Sequence, residues 1–458
     1  MYHFCYSFSI FAPINMQTEL TIIIYFLFIV GIGIYSAFRI KKPDDYYVAG
    51  KNAGPVQVSG SLLATILGGS AVLGTIELSQ KIGWAALWFL FSAALGLFVL
   101  VPLSKYVRRY GNYTLPELLG TFYGKKAETI ASLIIPMAWI GIVAAQIIAA
   151  AKILSGFHDL SYSTAAIISG IVFIIYTLLG GQLSILKTDT LQSVLIITGL
   201  VILFVITLPA KGTEVEPFKF GAVFNGSFGV LDLVILILTY SVTFVVGPDI
   251  YSRVFCARNE KTAARSVISV AIILLPISFG LTYLGIFSAS SGEGIVSFAQ
   301  HLLPAWAYGL FLAALLSAVM SSADTTLLTS SMILSELITG NLKQQKALLL
   351  TRILIVVMGL ASIIIALYVT SIIQALLLAL TFFSGAFIVP TLSGLLRLKT
   401  NKKQVIPAIV AGGIVALAGK IVFLTGYELS GNLIIILSYG INATLLFYPF
   451  QPNKMKSK

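Results

Sequence analysis

Small and hydroxyl-bearing side chains dominate residues 313–326. If this stretch is helical, one face carries four such residues one turn apart, Ala318, Ser321, Ser322 and Thr325. Hydroxyl and carbonyl oxygens grouped without a strong field of fixed charge suit a hard monovalent cation. The alternative is that the hydroxyls bond to carbonyls of their own helix and the small residues only allow close packing. The run alone leaves both readings open.

Charged residues inside apolar segments are few. Asp324 lies beside the hydroxyl face, and a carboxylate at that depth needs a partner, which weakens the packing reading. Asp189 opens another apolar segment, where an acid can also act as a helix cap. His3, His158 and His301 fall in the N-terminal tail or outer loops, so a histidine proton relay is unsupported. No nucleophile-and-base pairing, metal-ligand cluster or phosphate loop is found, which argues against a membrane-embedded enzyme.

Two apolar segments contain residues that interrupt helices. Gly68 and Gly69 lie in the middle of one segment, and Gly247 and Pro248 end another. Discontinuous helices at corresponding positions of two repeats mark a binding site near the membrane midplane. Paired glycines can also serve close helix packing alone, so this second reading stays open.

The elements that position these residues are membrane helices. Hydrophobic residues make up 58% of the chain and charged residues 10%, and the mean hydropathy is +0.98. So little polar surface cannot coat a water-soluble protein, which makes the lipid bilayer the surrounding solvent. Apolar stretches of about 20 residues, enough to cross the hydrocarbon as a helix, recur along the chain. Alternating stretches of about 10 residues, typical of outer-membrane strands, are not seen.

The hydropathy pattern predicts an all-α integral membrane protein with about thirteen transmembrane helices. The predicted spans are 18–38, 55–78, 83–103, 129–153, 162–179, 190–208, 230–246, 267–287, 306–337, 348–369, 372–396, 405–424 and 433–449. Spans two to six (55–208) and seven to eleven (230–396) are interpreted as two copies of a five-helix unit, and 405–449 holds the last two spans. No loop is long enough for a soluble domain, so residues 1–458 form one membrane transport domain. Residues 1–17 are interpreted as a tail, or as the result of a start assigned upstream of Met16.

The net charge of +12 is explained by topology rather than by nucleic acid binding. With the N-terminus outside, 24 of the 29 basic residues, including Arg253, fall in loops on the cytoplasmic side. This asymmetry follows the positive-inside rule. It predicts a multi-pass protein of the cell inner membrane with a cytoplasmic C-terminus, with the segment 105–126 inside and 211–219 outside.

Several motifs together resemble the sodium/solute symporter family, which has the LeuT-type fold of two inverted five-helix repeats. The matching stretches are DDYYVAGK at 44–51, TLPELLG at 114–120, YTLLGG at 176–181, DTLQ at 189–192, GPDIYSRVF at 247–255 and SSAD at 321–324. They occur in the family's order over roughly positions 35 to 400.

The resemblance implies an ion site and an ion path. The implied sodium ligands are Ala64, Leu67, Ala318, Ser321 and Ser322, the first three through their backbone carbonyls. Asp189 matches the acid that the family places on the sodium exit path toward the cytoplasm. Asp324 and Thr325 lie where some members build a second sodium site.

The solute is less defined than the ion. Where sugar-carrying members present polar side chains, this chain has Ser70 and Ala71, which argues against a sugar. A small amino acid or carboxylate fits better, with Ser70, Gln146 and Tyr240 as candidates for the solute pocket.

The predicted function is sodium-coupled secondary active symport that imports a small organic solute by alternating access. The alternative is a non-transporting sensor or regulatory membrane protein of the same fold. Sensors of the family usually carry a cytoplasmic signalling domain, whereas nine residues follow the last predicted span. The expected partners are the small-molecule solute, sodium and the bilayer. No nucleic acid and no obligate protein partner are implied.

Overall fold

Helices make up almost all of the computed structural model, which describes residues 16–157, 160–208, 218–289, 292 and 294–448. In these ranges β-pairing is limited to isolated bridges, such as that between Ala53 and Ala257. The all-α prediction is therefore confirmed. The expectations for the tail before Met16, for His158 and for Lys211 lie outside the described residues.

Eighteen α-helices are described. Their bounds are α1 (Met16–Ala37), α2 (Pro43–Val48), α3 (Pro55–Ile66), α4 (Gly69–Ile82), α5 (Leu87–Tyr110), α6 (Leu115–Tyr123), α7 (Lys125–Phe157), α8 (Tyr162–Thr207), α9 (Val230–Leu236), α10 (Val242–Val246), α11 (Pro248–Cys256), α12 (Glu260–Ala289), α13 (Ile295–Leu302), α14 (Ala305–Thr339), α15 (Gln345–Tyr368), α16 (Ile372–Leu395), α17 (Val405–Leu424) and α18 (Glu428–Phe447).

Eleven segments of the described chain are long and apolar enough to cross a membrane. Two of them, Gly69–Tyr110 and Tyr162–Thr207, have 42 and 46 residues, about twice the roughly 20 residues that one crossing needs. The second consists of two helices that meet at Gly181, where φ is 58° and ψ is 176°. A Cβ atom there would lie 2.5 Å from the Tyr46 ring, so both the backbone angles and the packing require glycine. The number thirteen and the repeat boundaries remain predictions.

Both interruptions predicted from glycine and proline are present. The first break separates α3, which ends at Ile66, from α4, which begins at Gly69. The second break separates α10 from α11 at Gly247, whose backbone is extended, and a π-helical turn at Ile237–Ser241 precedes α10. A break of this kind leaves carbonyl and N–H groups without helical partners, which the surrounding protein must satisfy.

Helix α14 lies at the centre of the molecule. It packs against α1, α7, α8 and α15, and 83% of its most apolar window is buried. The α15 helix instead turns apolar side chains such as Leu349 and Ile364 outward. Because α14 is surrounded by protein rather than lipid, its hydroxyls can meet polar groups of other helices.

One of the basic residues assigned to cytoplasmic loops lies in the protein interior. Arg253 was assigned to a cytoplasmic loop, but it lies within α11 and is fully buried. The assignment was wrong because the 17-residue apolar stretch 230–246 already resembles a complete span, so the residues after the break were counted as a loop. Arg253 therefore contributes to the interior of the protein and not to the positive-inside asymmetry.

Candidate ion and solute site

The broken helix α3 meets α14 through hydrogen bonds between hydroxyls and backbone carbonyls. The Ser321 hydroxyl donates to the carbonyl of Ala64 at 2.9 Å and lies 3.1 Å from the carbonyl of Ala318. The Ser322 hydroxyl donates to the carbonyl of Thr65 at 2.6 Å. Carbonyls of α3 are available because the helix ends at Ile66, before they find partners in a further turn. Neutral oxygens from two helices thus converge at one point, a ligand set that fits sodium.

Three of the five predicted sodium ligands, Ala64, Ala318 and Ser321, are joined directly by these contacts, and a fourth, Ser322, bonds to the neighbouring Thr65. The fifth, Leu67, is fully buried at the break, and its N–H donates to the Leu63 carbonyl at 2.8 Å. Thr65 was missed by the sequence analysis, although its carbonyl is the acceptor for Ser322. Its position next to Ala64 at the end of a broken helix was the available signal.

Gly68 and Gly69 allow this close approach. A Cβ atom on Gly68 would lie 2.1 Å from the Ser322 hydroxyl oxygen, and one on Gly69 would lie 2.2 Å from Cγ2 of Val319. Neither distance is possible for real atoms, so any side chain would separate α14 from the break. The two glycines therefore serve packing and interruption at once.

A buried ion pair lies next to this contact. The Arg253 guanidinium donates to Oδ2 of Asp189 at 3.0 Å, to the Ser61 hydroxyl at 3.0 Å and to the Thr325 hydroxyl. Ser61 also donates to Oδ2 of Asp189 at 2.5 Å. Both charged side chains are completely buried. This network links α3, α8, α11 and α14, and Arg253 and Ser61 are the members that the sequence analysis missed.

The second carboxylate of this region is Asp324. Its Oδ1 accepts from the backbone N–H of Thr325 at 2.6 Å. Its Oδ2, like Oδ1 of Asp189, is buried and has no hydrogen-bond partner among the described residues. With both acids ionised, two carboxylates face one guanidinium, so the cluster has an excess of one negative charge and can attract a cation. The predicted pair Asp324 and Thr325 is thus brought together, but Arg253 already contacts the Thr325 hydroxyl.

A small cavity, with a volume of about 50 Å³, lies beside the contact of Ser321 and Ser322 with α3, the candidate ion contact. All three predicted solute-pocket residues line it: Ser70, Gln146 and Tyr240. The Gln146 side chain donates to the Ser70 hydroxyl at 2.7 Å and accepts from the Ser70 backbone N–H at 3.2 Å, which ties α7 to the start of α4. Thr65 and Ser322 line the same cavity, so ion contact and cavity share residues.

Among the lining residues that the sequence analysis did not predict, two carry polar groups of particular interest. Asp249 lies in the first turn of α11, and Trp139 lies on α7. Their convergence with Ser70 depends on three separate helices, which no local pattern reveals. The GPD triplet of the second break was the only local signal for Asp249.

The two broken helices are joined at one end. The backbone N–H of Ala53, just before α3, donates to the carbonyl of Cys256 at 3.0 Å, and the N–H of Arg258 donates to the Ala53 carbonyl at 3.0 Å. Nε of Arg108 donates to the carbonyl of Ala257 at 2.6 Å. In the predicted topology this is the cytoplasmic end, so the path from the cavity to that side is closed by these contacts.

The opposite end is more open. A cavity of about 510 Å³ lies there, and its lining includes Glu77, Lys81, Asp232 and Lys420. Glu77 pairs with Lys152 at 2.5 Å, between α4 and α7. The molecule is therefore asymmetric, with a tied end and an open end on either side of the small cavity.

Comparisons with known proteins agree with this architecture. The chain matches the Sodium:solute symporter family over residues 46–412. It is 24% identical over 445 residues to the sodium/pantothenate symporter of Escherichia coli strain K12, with 87% of this chain and 90% of the relative covered. It is 24% identical over 388 residues to the sodium/proline symporter of the same strain, with 77% of each chain covered.

The fold is shared with a solved transporter. A Na⁺-coupled sialic acid symporter, solved in a substrate-bound outward-open state, aligns with a TM-score of 0.78 at 19% identity, covering 97% of this chain and 100% of that chain. The expected membrane fold and the coupling ion of the family, sodium, are thereby confirmed. The chain belongs to the sodium:solute symporter family.

Proposed function

We propose that the chain is a sodium-coupled symporter that imports a small organic solute across the inner membrane by alternating access. The contact of the Ser321 and Ser322 hydroxyls with carbonyls of the broken helix α3 carries this proposal. The relatives named for pantothenate and proline are symporters of small organic molecules, which supports the solute class.

The proposed sodium ligands are the carbonyls of Ala64, Leu67 and Ala318 and the hydroxyls of Ser321 and Ser322. In this structure each hydroxyl donates its hydrogen to a carbonyl. A cation bound between a hydroxyl and its carbonyl would be coordinated by lone pairs of both oxygens. Because the ligands are neutral, the site binds a monovalent ion without holding it too strongly for release.

Coupling between ion and solute follows from shared residues. Thr65 and Ser322 belong to the ion contact and also line the solute cavity. An ion that fixes these two residues also fixes a wall of the cavity, so each ligand favours the binding of the other. A tenfold sodium gradient supplies about 1.4 kcal/mol, and a potential of 100 mV adds about 2.3 kcal/mol per charge.

The proposed exit path for sodium passes Asp189. One oxygen of this carboxylate is held by Arg253 and Ser61, and the other has no hydrogen-bond partner among the described residues. The free oxygen is the one that can receive an ion leaving the contact at Ser321. A second sodium at Asp324 and Thr325 would require Arg253 to move away from the Thr325 hydroxyl.

The proposed orientation places the tied end, at Ala53 and Ala257, in the cytoplasm, with the N-terminus outside. The open cavity then faces the periplasmic side, from which a solute would enter. The small cavity is well below the roughly 300 Å³ at the lower end of organic ligand sites, so solute binding requires its walls to separate. This movement is what an alternating-access cycle supplies.

Uptake into proteoliposomes tests the proposal. Labelled proline and pantothenate are offered with an inward sodium gradient, with an equal potassium gradient, and after a sodium ionophore collapses the gradient. We expect accumulation of a solute only with the sodium gradient, and loss of sodium dependence in the Ser321→Ala, Ser322→Ala double variant. Equal uptake with sodium and potassium would contradict sodium coupling, and binding of a solute without any transport would favour a sensor.

A further inference from the structure

Among its described lining residues, the small cavity has one side chain that can carry a full charge at neutral pH, and that charge is negative. Asp249, partly buried in the first turn of α11, is the one ionisable acid that lines it, and no lysine, arginine or histidine does. The other polar lining residues are neutral, among them Ser70, Gln146 and Thr326. The electrostatic character of the cavity is therefore set by one carboxylate.

Arg253 attracts this carboxylate through space but forms no ion pair with it among the described residues. Arg253 lies one turn further along α11, but its N–H groups donate to Ser61, Ser252, Asp189 and Thr325. The N-terminus of α11 gives partial compensation through its free N–H groups. A carboxylate facing a low-dielectric cavity without a full counter-charge remains costly, and a cationic group in the cavity would remove that cost.

Two buried donors without partners line the same cavity. Trp139 is 1% exposed and Thr65 is 7% exposed, and neither Nε1 of Trp139 nor the Thr65 hydroxyl has a hydrogen-bond partner among the described residues. An indole N–H can only donate, so it needs an acceptor. The aromatic residues Trp139, Tyr240 and Phe244 also line the cavity, and aromatic rings attract organic ammonium groups.

We propose that the solute carries a protonated amine that pairs with Asp249, together with an acceptor group that receives hydrogen bonds from Trp139 and Thr65. An amino acid has both groups, and a solute that is only a carboxylate lacks the first. This assignment rests on the proposed function and deepens it, since it names the chemical class of the solute. The anion-only class is disfavoured because its charge would face Asp249.

Matched ligands separate the two classes. The full chain is purified in detergent with sodium, and binding is followed by thermal shift and calorimetry. One set of ligands is proline, pyrrolidine and cyclopentanecarboxylate, and another is phenylalanine, phenethylamine and 3-phenylpropanoate. Within each set the members keep their carbon skeleton and differ in whether they carry the amine, the carboxylate or both.

We expect the amine-bearing members of at least one set to bind, and the carboxylate-only members not to bind. Asp249→Asn should weaken binding of the amine by at least about tenfold, because a charge-assisted hydrogen bond is lost while the shape is kept. Glu19→Gln, which removes one exposed acid of α1 outside the cavity, should bind like the wild type.

Tighter binding of the carboxylate-only members than of their amine counterparts, or unchanged affinity for the amine in Asp249→Asn, would overturn the assignment. Sodium coupling is read separately, from uptake. If amines bind but a sodium gradient does not drive them, the solute class stands and the proposed function fails. If sodium drives uptake of a carboxylate without an amine, the function stands and the solute class fails.

Discussion

Ser321 and Ser322 differ from the three hydroxyl residues Thr325, Thr326 and Ser330 of α14 in where their hydrogen bonds go. Thr325, Thr326 and Ser330 donate to carbonyls of their own helix, as residues in packed membrane helices commonly do. The two serines instead donate to carbonyls of α3. This difference favours the ion-site interpretation over simple packing, because the acceptors of the two serines lie at the break of α3, where carbonyls have no partner in a further helical turn.

Replacing Ser321 or Ser322 with alanine is expected to weaken sodium binding without unfolding the protein. Each change removes one ligand oxygen, and interactions of this kind with a charge are worth about 1.5–3 kcal/mol, so the apparent sodium affinity should fall about tenfold or more. Sodium titration of thermal stability and of uptake measures the effect. Ser330→Ala, which removes a hydroxyl bonded only within α14, should leave the sodium affinity unchanged. Unaltered sodium dependence in both serine variants would place the ion elsewhere.

For the ion pair of Arg253 and Asp189, the cost of burying charge must be weighed against the attraction between the two side chains. Both are fully buried, so their attraction competes with the cost of removing two charges from water. Removing one partner is worse than removing both, because it leaves an uncompensated charge in the interior. The change Asp189→Ala would therefore disturb folding as well as ion release, and a paired design separates the two effects.

Arg253→Met is expected to destabilise the protein by about 3–5 kcal/mol, the usual cost of breaking a buried ion pair from one side. The double variant Asp189→Asn, Arg253→Met should regain much of the lost stability while its turnover stays low, because the acid of the proposed exit path is gone. Thermal unfolding and uptake rates provide the two readouts. Arg109→Ala breaks an exposed pair with Glu260 and should change little. If Arg253→Met and Arg109→Ala lose similar amounts of stability, the buried ion pair contributes no more to stability than the exposed one.

At the scale of elements, the breaks in the two discontinuous helices create the site. Because α3 stops at Ile66, its carbonyls face α14, and because α11 restarts at Pro248, Asp249 faces the cavity. Gly68 permits the first arrangement only because it has no side chain. The interruption and the close approach are thus one structural feature.

Gly68→Ala is expected to abolish sodium-dependent uptake, since its Cβ would overlap the Ser322 hydroxyl and displace α14 from α3. The matched control is Gly440→Ala in α18, where a Cβ meets nothing within 4 Å. Replacing a helical glycine with alanine at an open position should stabilise by roughly 0.5–1 kcal/mol and leave uptake intact. Membrane levels and uptake are measured for both variants. Normal sodium-driven uptake by Gly68→Ala would contradict the packing role of the break.

The sequence predicts the individual helices and their breaks better than it predicts the tertiary contacts between helices. Gly68, Gly69, Gly247 and Pro248 interrupt helices by their local chemistry, and both breaks lie where these residues predict them. Asp249 and Trp139 come together only through the packing of α7 and α11, which local patterns do not encode. Arg253 was misassigned for a related reason. The apolar stretch stops at the break, so the helix that follows the break was read as a loop.

At the scale of the whole molecule, the two ends of the transporter differ. The tied end holds α3 and α11 together through the backbone bonds of Ala53 with Cys256 and Arg258. The other end contains the cavity of about 510 Å³. In the proposed alternating-access cycle the tied end opens while the open end closes, so the bonds at the tied end break when the solute is released. A probe placed at that end can report the exchange.

Cys256 is such a probe. It is fully buried, its carbonyl accepts from Ala53, and its thiol donates to the Ser252 carbonyl at 3.1 Å, so a thiol reagent reaches it only when the tied end opens. The other cysteine of the chain, Cys5, is replaced by serine to remove its signal. We expect slow labelling by N-ethylmaleimide, and slower labelling with sodium, because an ion that bridges α3 and α14 favours the arrangement in which the end is tied.

Weakening the tie should have the opposite effect. Arg108→Ala removes the bond from Nε to the Ala257 carbonyl and should speed labelling of Cys256 about tenfold, the value of one hydrogen bond from a charged donor. Arg109→Ala is the neighbouring control, since Arg109 pairs with the side chain of Glu260 and does not join the two broken helices. Labelling that is as fast in the folded wild type as in the denatured chain would show that the end is open. Equal rates in Arg108→Ala and wild type would show that this bond does not control its opening.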